Sequence, residues 1–245
     1  MDVSKPMRVN RILSLAGLTS RRKADEWIRK GRVTVNGRPV RALGATALWG
    51  KDFIAVDHQP IPRPSDRLYL MLNKPFGVVC TLHDPEQRPR ITDLIKDIPV
   101  RVYPVGRLDF DSLGLILLTN DGEWAYRLSH PKYQVPRTYK ATVSGRITEE
   151  ALSRLRKGVS LEDGPSGPAK ADLIKGGSEQ SMVRITITQG RSRQVRRMLD
   201  AVGFKTLQLM RTAFGTLTLG ELKVGRYRHL TQDELTAMRK LVKLG

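Results

Sequence analysis

The segment Gly106-Arg107-Leu108-Asp109 puts one carboxylate two residues from a guanidinium. Phe110-Asp111-Ser112-Leu113-Gly114 follows, and then the apolar run Leu115-Ile116-Leu117-Leu118, which reads as a buried strand. A carboxylate beside a low-dielectric wall tends to take up a proton, and a fixed guanidinium keeps it charged. Asp109 therefore qualifies as a nucleophile or base, and equally as half of an ordinary surface ion pair in a turn before a strand. Asp111 reads as a turn residue. Three further segments carry side chains able to do chemistry. Asn73-Lys74-Pro75-Phe76-Gly77 is a turn with one cation and one aromatic. Arg137-Thr138-Tyr139-Lys140 sets an aromatic among cations. The stretch 189–197 holds Arg191, Arg193, Arg196 and Arg197, with Gly190 opening the backbone to an anion. A nucleic-acid base needs a flat face to stack on, and its phosphates need guanidinium groups. Taken singly, each segment also reads as a solvated turn, a half-buried strand or a solvated helix face.

Those segments must be placed by an alternation of short β-rich runs and helical patterns. Strands are expected over 68–72, 139–143, 182–188 and 206–210, and helices over 123–128, 148–157 and 194–202. A last helix starts at Thr231, where Thr231 and Glu234 form a capping-box pattern. The rhythm fits α/β or α+β but not a doubly wound sheet. No glycine-rich nucleotide loop, Ser-His-Asp order or zinc-type His pair is present.

The chain has 245 residues, 40% hydrophobic, enough for one large or two modest domains with a real core. Lys plus Arg number 43 against 24 acids, a net +19 that draws polyanions, nucleic acid first among them. No apolar run reaches the roughly 20 residues of a membrane span. The N-terminus lacks signal-peptide segments, so a cytoplasmic location is expected, with no membrane partner. The single cysteine, Cys80, lies in Val78-Val79-Cys80 and reads as a core residue. It leaves no disulfide framework, and the four scattered histidines leave no ligand set, so no metal is expected.

Residues 1–56 carry 12 Lys or Arg against four acids. Val9, Ile12, Leu13 and Ala16 recur at helical spacing up to Gly17; Ser20 can cap a second helix with Ala24, Trp27 and Ile28 on its apolar face. Val33-Thr34-Val35 then runs into Asn36-Gly37, a hairpin signal. Arg21, Arg22, Lys23, Arg29, Lys30 and Arg32 crowd the second helix, opposed by Asp25 and Glu26, a density that favours phosphate contact over a merely solvated face. The ordered run from Arg8 and Arg11 through Gly17-Leu-Thr-Ser-Arg-Arg-Lys-Ala to Gly31-Arg-Val-Thr-Val-Asn-Gly37 resembles the S4 RNA-binding domain, which docks such a helix and hairpin on structured RNA. Pro60, Pro62 and Pro64 suggest a stiff connector. The expected division is 1–56 for the S4 domain, 57–66 for the linker and 67–245 for a catalytic domain.

The larger module resembles the pseudouridine synthases, in the branch that modifies ribosomal RNA and carries an S4 domain in front. The likeness rests on Gly106-Arg-Leu-Asp109 with Gly114-Leu-Ile-Leu-Leu-Thr-Asn-Asp-Gly122, on Arg137-Thr-Tyr-Lys140, on Gly190-Arg-Ser-Arg-Gln-Val-Arg-Arg-Met198 and on Leu209-Met-Arg-Thr-Ala-Phe-Gly215. It implies an α+β fold with a mixed, largely antiparallel sheet. It also implies isomerisation of a uridine in ribosomal RNA, of the large subunit by the look of 190–198, with no cofactor. By the same resemblance Asp109 matches the essential aspartate, Tyr139 the aromatic that stacks on the flipped uracil, and Arg196 the basic partner of the aspartate. Leu209 matches the apolar wall, Arg107 the arginine that holds the flipped nucleotide, and Lys74 is placed among the substrate contacts. Arg8, Arg11, Arg191, Arg193 and Arg197, with the cations of the second S4 helix, are expected to meet RNA. Arg193 stands where many relatives have His or Glu. The expected partner is ribosomal RNA or a precursor particle, met as a monomer. The rival reading is a non-catalytic S4-containing assembly factor; a nucleoside hydrolase lacks a second suitable carboxylate once Asp111 is taken as a turn residue.

Overall fold

The structure is a computed structural model that describes residues 5–63 and 66–244. It divides into two compact units: one runs to Leu68 and includes Asp97–Val102, and the other holds Tyr69–Lys96 and the chain from Tyr103 on.

The first unit contains strand β1 (Met7–Arg8) and helices α1 (Val9–Leu15) and α2 (Arg21–Arg29). Strands β2 (Val33–Val35), β3 (Arg38–Pro39), β4 (Thr46–Ala47), β5 (Ile54–Val56) and β6 (Gln59–Pro60) follow. Val9, Ile12, Leu13, Ala24, Ile28 and Ile54 form its core, as helical spacing requires. Ser20 caps α2 by accepting from the Lys23 amide at 3.2 Å. Asn36 and Gly37 both take positive φ, as the tight β2–β3 hairpin demands. The segment from Asp57 differs from a plain connector. Asp57 and His58 also take positive φ, turning the chain so that β6 pairs with β5. Pro60 is tolerated there because β6 is an edge strand. The Pro62 carbonyl accepts from Trp49 Nε1 at 3.1 Å, and Pro64 lies outside the described residues. Arg101 belongs to this unit too, donating to the Thr19 carbonyl at 2.7 Å.

The second unit is built on strands β7 (Tyr69–Lys74), β8 (Tyr103–Pro104), β9 (Ser112–Thr119) and β10 (Arg137–Ser144). A short hairpin, β11 (Ser160–Leu161) and β12 (Gly164–Pro165), precedes β13 (Lys170–Lys175) and β14 (Gln180–Ile187). Strands β15 (Thr206–Phe214), β16 (Leu217–Thr218) and β17 (Tyr227–His229) complete it. Its helices are α3 (Gly122–Ser129), α4 (Glu149–Lys157), α5 (Gln194–Ala201) and α6 (Gln232–Leu241). The main sheet runs β13-β14-β10-β15-β9-β7-β17, with β8 on β9 and β16 on β15. Among the described pairings in it only β15 with β9 is parallel. The fold is thus α+β with a mixed, largely antiparallel sheet. One face buries Leu115, Leu117, Trp124, Leu128, Phe214 and Met238 beneath α3 and α6. Asp121 caps α3, Thr148 caps α4, and Thr231 with Glu234 forms the capping box of α6.

The parallel junction depends on Gly114, which faces Arg211 across the β9–β15 pairing at φ +100. A Cβ there would lie 2.3 Å from the Arg211 carbonyl oxygen. Gly114→Ala is expected to destabilise the protein by about 2–5 kcal/mol in urea unfolding, from overpacking plus the left-handed backbone. Gly203→Ala, at positive φ but with open space around it, should lose only about 1–2 kcal/mol. Equal losses would show that strand approach at Gly114 is not the constraint.

Candidate active site

Asp109 is half-buried in the loop that enters β9, and its backbone carbonyl accepts from the Ser112 amide at 3.1 Å. The loop is held from below by Lys74, the last residue of β7, whose side chain is fully buried. Lys74 Nζ donates to the Ser112 carbonyl at 2.7 Å, the Pro75 carbonyl at 3.0 Å and the Phe110 carbonyl at 3.5 Å. Burial pulls the Lys74 pKa down, while electrostatic interaction with Cys80, Asp109 and Asp111 acts the other way. Lys74, expected among the substrate contacts, is here fully buried with its ammonium committed to three carbonyls. The buried strand continues through Asn73-Lys74, so the ammonium anchors the loop from inside. Cys80 also differs from its expected place. It is half-buried rather than in the core, its Sγ accepts from the Leu108 amide at 3.4 Å, and burial raises its pKa.

Arg196 was expected to pair with Asp109; it meets Asp111 instead. Its Nη2 lies 2.9 Å from the Asp111 carbonyl oxygen and 3.3 Å from Oδ2, while Nη1 donates to the Thr206 carbonyl at 3.4 Å. Arg193 joins from the other side, with Nη1 3.2 Å from both Asp111 carboxylate oxygens. Asp111 is thus not a plain turn residue. It ties the loop before β9 to the start of α5. The backbone of Arg193, left-handed at φ +48, makes the turn that starts that helix.

The loop borders a cleft of about 290 Å3, at the small end of ligand pockets, whose usual range is about 300–1,000 Å3. Arg107, Asp109, Ser112, Tyr139, Leu209 and Arg193 line it, whereas Lys74 and Arg196 do not. Tyr139 comes from β10, with Ile185 and Arg211 as its cross-strand neighbours. It is 8% exposed, and its hydroxyl has no hydrogen-bond partner among the described residues. Leu209, 4% exposed, is in register with Ser112 across the parallel junction. Arg107 is exposed and has no ion-pair partner among the described residues. The cleft therefore brings a carboxylate, an aromatic side chain, an apolar wall and a guanidinium without an ion-pair partner among the described residues around one concave space, with Arg137, Arg191, Arg193 and Arg211 also in its lining.

Two buried arginines that the sequence reading did not single out as site residues also line the cleft. Arg137 donates to the Thr188 and Leu128 carbonyls at 3.2 Å each, and burial lowers its pKa. Arg211 Nε donates to the Leu115 carbonyl at 2.7 Å, while its buried Nη2 has no partner. Both guanidinium groups sit over the Phe214 ring, at 5.2 and 5.0 Å. Their signal was positional: each shares an alternating strand face with a buried neighbour, Tyr139 for Arg137 and Leu209 for Arg211. Gly190, expected to open the backbone to an anion, lines the cleft and leaves room for Arg137, because a Cβ would lie 3.2 Å from its Nη1.

The basic residues divide into available and committed ones. Arg8, Arg21, Arg22, Lys23, Arg29 and Lys30 are exposed on the first unit, and Arg11 is half-buried. Arg32 is paired with Asp57 and lies over the Trp27 ring at 4.8 Å. In the second unit, Arg191 and Arg197 both serve Asp163. Arg191 Nη1 bonds the Asp163 and Gly164 carbonyls at 3.0 and 2.9 Å, and Arg197 Nη1 lies 2.8 Å from Asp163 Oδ1. These two hold α5 to the β11–β12 hairpin and share one carboxylate between them, so the cluster keeps a net positive charge, and Arg191 also lines the cleft.

Comparison with known proteins places this geometry. Residues 68–201 match the family described as RNA pseudouridylate synthase, and residues 7–46 match the S4 domain. The chain is 43% identical over 239 residues to an uncharacterized RNA pseudouridine synthase of Aquifex aeolicus, covering 97% of this chain and 96% of that protein. It is 42% identical over 240 residues to ribosomal large subunit pseudouridine synthase B of Bacillus subtilis, covering 97% and 98%. A crystal structure of a pseudouridylate synthase aligns with a TM-score of 0.69 at 33% identity, over 95% of this chain and 99% of that one.

The Asp163 cluster gives a pH signature. Hydrogen bonds from Arg197, reinforced by Arg191, pull the Asp163 carboxyl down to about 2. A depressed carboxylate contributes stability above its unfolded pKa, and that contribution is lost as pH falls toward the folded value. Asp163→Asn should lower Tm at pH 6 by a small amount, about 1–3 °C, as exposed pairs do. The gap to wild type should close between about pH 4 and pH 2. A gap that stays constant over that range would contradict the assignment.

Proposed function

Because this chain belongs to the RNA pseudouridylate synthase family and is an isomerase of that kind, we propose that it converts a uridine of large-subunit ribosomal RNA to pseudouridine, with Asp109 acting on the flipped nucleotide. The observation that carries the reading is that Asp109, Tyr139 and Leu209 line one cleft of about 290 Å3. The reaction breaks the N1–C1′ bond, turns the base and joins C5 to C1′. The base must first leave its stack, and a cleft that offers a ring face on one side and an apolar wall on the other supports that step. Tyr139 stacks on the uracil, Leu209 backs it, and Arg107 holds the backbone of the flipped nucleotide. Asp109 serves as nucleophile at C1′ or C6, or as base at the 2′ position; each role needs one carboxylate and no redox partner.

The large-subunit assignment is supported by the name of the Bacillus subtilis relative at 42% identity. The exposed cations of the first unit, Arg8, Arg21, Arg22, Lys23, Arg29 and Lys30, contact phosphates and recognise shape rather than sequence. The protein works as a monomer in the cytoplasm, on ribosomal RNA or a precursor particle. Among the described residues no helix is long and apolar enough to cross a membrane.

Asp109→Asn keeps the side-chain volume and removes the charge. Tritium release from [5-³H]uridine-labelled ribosomal RNA should fall by at least about 100-fold, the lower range of a lost acid–base group, with RNA affinity unchanged within about twofold. Turnover within tenfold of wild type would overturn the role of Asp109.

A further inference from the structure

Beside the active-site cleft lies an aromatic pair that the reaction does not use. Phe76 is 62% exposed and Phe110 is 43% exposed, in a chain that buries Phe214 and Trp124 almost completely. Their ring centroids are 6.0 Å apart, with planes tilted by 54°. The arrangement is fixed by backbone: the Gly77 amide donates to the Phe110 carbonyl at 3.0 Å, and the Lys74 ammonium holds the same loop from below. A Cβ on Gly77 would lie 3.9 Å from Phe110 Cζ, so the ring rests against the Gly77 backbone. Phe110 borders a second cleft of about 380 Å3, also lined by Cys80, His83, Arg88, Arg107 and Asp109. Arg88 is neutralised there by Asp84 at 2.7 Å and Glu86 at 3.0 Å. Arg107 has no ion-pair partner among the described residues, and it lines both clefts.

Isolated exposed apolar side chains are common, but two phenyl rings held together by backbone beside an available guanidinium make a recognition element. Each ring presents a face that any base can stack on, and the cation supplies the charge a phosphodiester needs. We propose that Phe110 and Phe76 form a stacking platform for the base of the nucleotide next to the target uridine, with Arg107 gripping the phosphate that joins the two. The inference rests on the uridine-isomerising reading and extends it: while the target base occupies one cleft, its neighbour is held outside the stack by the phenyl rings. The rigid loop that carries Asp109 also carries Phe110, so capture of the neighbour registers the target against the carboxylate.

The test uses the full-length protein and an in vitro transcript of large-subunit ribosomal RNA. Tritium release gives kcat and KM, and filter binding at fixed salt gives Kd. Phe110→Ala and Phe110→Leu should raise Kd and KM by about 5- to 150-fold, the range for losing one base–aromatic stack, while Phe110→Tyr stays within about threefold of wild type. Phe76→Ala should weaken binding in the same direction. Melting temperatures should stay near wild type, because both rings are exposed. Phe110→Leu matching Phe110→Tyr would show that apolar contact, not stacking, is used and would overturn the platform, as would unchanged Kd in both Ala variants. A wild type that binds the transcript with the predicted Phe110 dependence but releases no tritium would overturn the isomerase reading alone.

Discussion

The arrangement of the second unit turns on one buried charge. The Lys74 ammonium has three donors, and the loop before β9 together with Pro75 offers three carbonyl oxygens to receive them. A buried ammonium without such partners would be strongly unfavourable, so the loop has little freedom to take another path. Asp109, Phe110 and Asp111 all project from the segment that this contact fixes. The parallel junction of β9 and β15 then brings Ser112 level with Leu209, so the wall of the cleft is set by the same strand whose entry the ammonium pins.

Arginines complete the frame from the opposite side. Asp111 receives Arg193 and Arg196, which joins the loop to the N-terminal end of α5. Asp163 receives Arg191 and Arg197, which joins the same helix to the β11–β12 hairpin. The cluster of four arginines is therefore mostly internal scaffolding. Positive charge open to a polyanion includes Arg107 at the cleft and the exposed face of α2 in the first unit. Charge in this chain is divided between building the site and meeting RNA, and composition alone cannot separate the two uses.

That division marks what was legible in the sequence. Periodicity and capping residues read well: the strands around Tyr139 and Leu209, helices α3 to α6 and the Asn36-Gly37 hairpin follow from local patterns. The meeting of Arg107, Asp109, Tyr139 and Leu209 in one cleft was legible only through ordered motifs, because β9, β10 and β15 lie far apart in sequence. Which carboxylate each arginine takes was not legible. Asp109 and Asp111 stand two residues apart in the same loop, and the sequence does not say which of them Arg196 meets; the folded loop presents Asp111. Lys74 itself looked like a turn cation because a lysine after an asparagine breaks the apolar run, yet both are buried at the end of β7. The β5–β6 turn was hidden behind its prolines, since Asp57 and His58 are not the residues that announce a left-handed turn most strongly.

Lys74 holds the loop that carries Asp109. Amide hydrogen exchange of the peptide covering residues 106–113, compared between wild type and Lys74→Met, tests it directly. Removing the ammonium leaves the Ser112 and Phe110 carbonyls without their donor, so exchange in that peptide should accelerate by at least about tenfold while the strand around Tyr139 keeps its protection. Unchanged exchange across 106–113 in Lys74→Met would contradict the account and would leave Asp111 with its two arginines as the anchor instead.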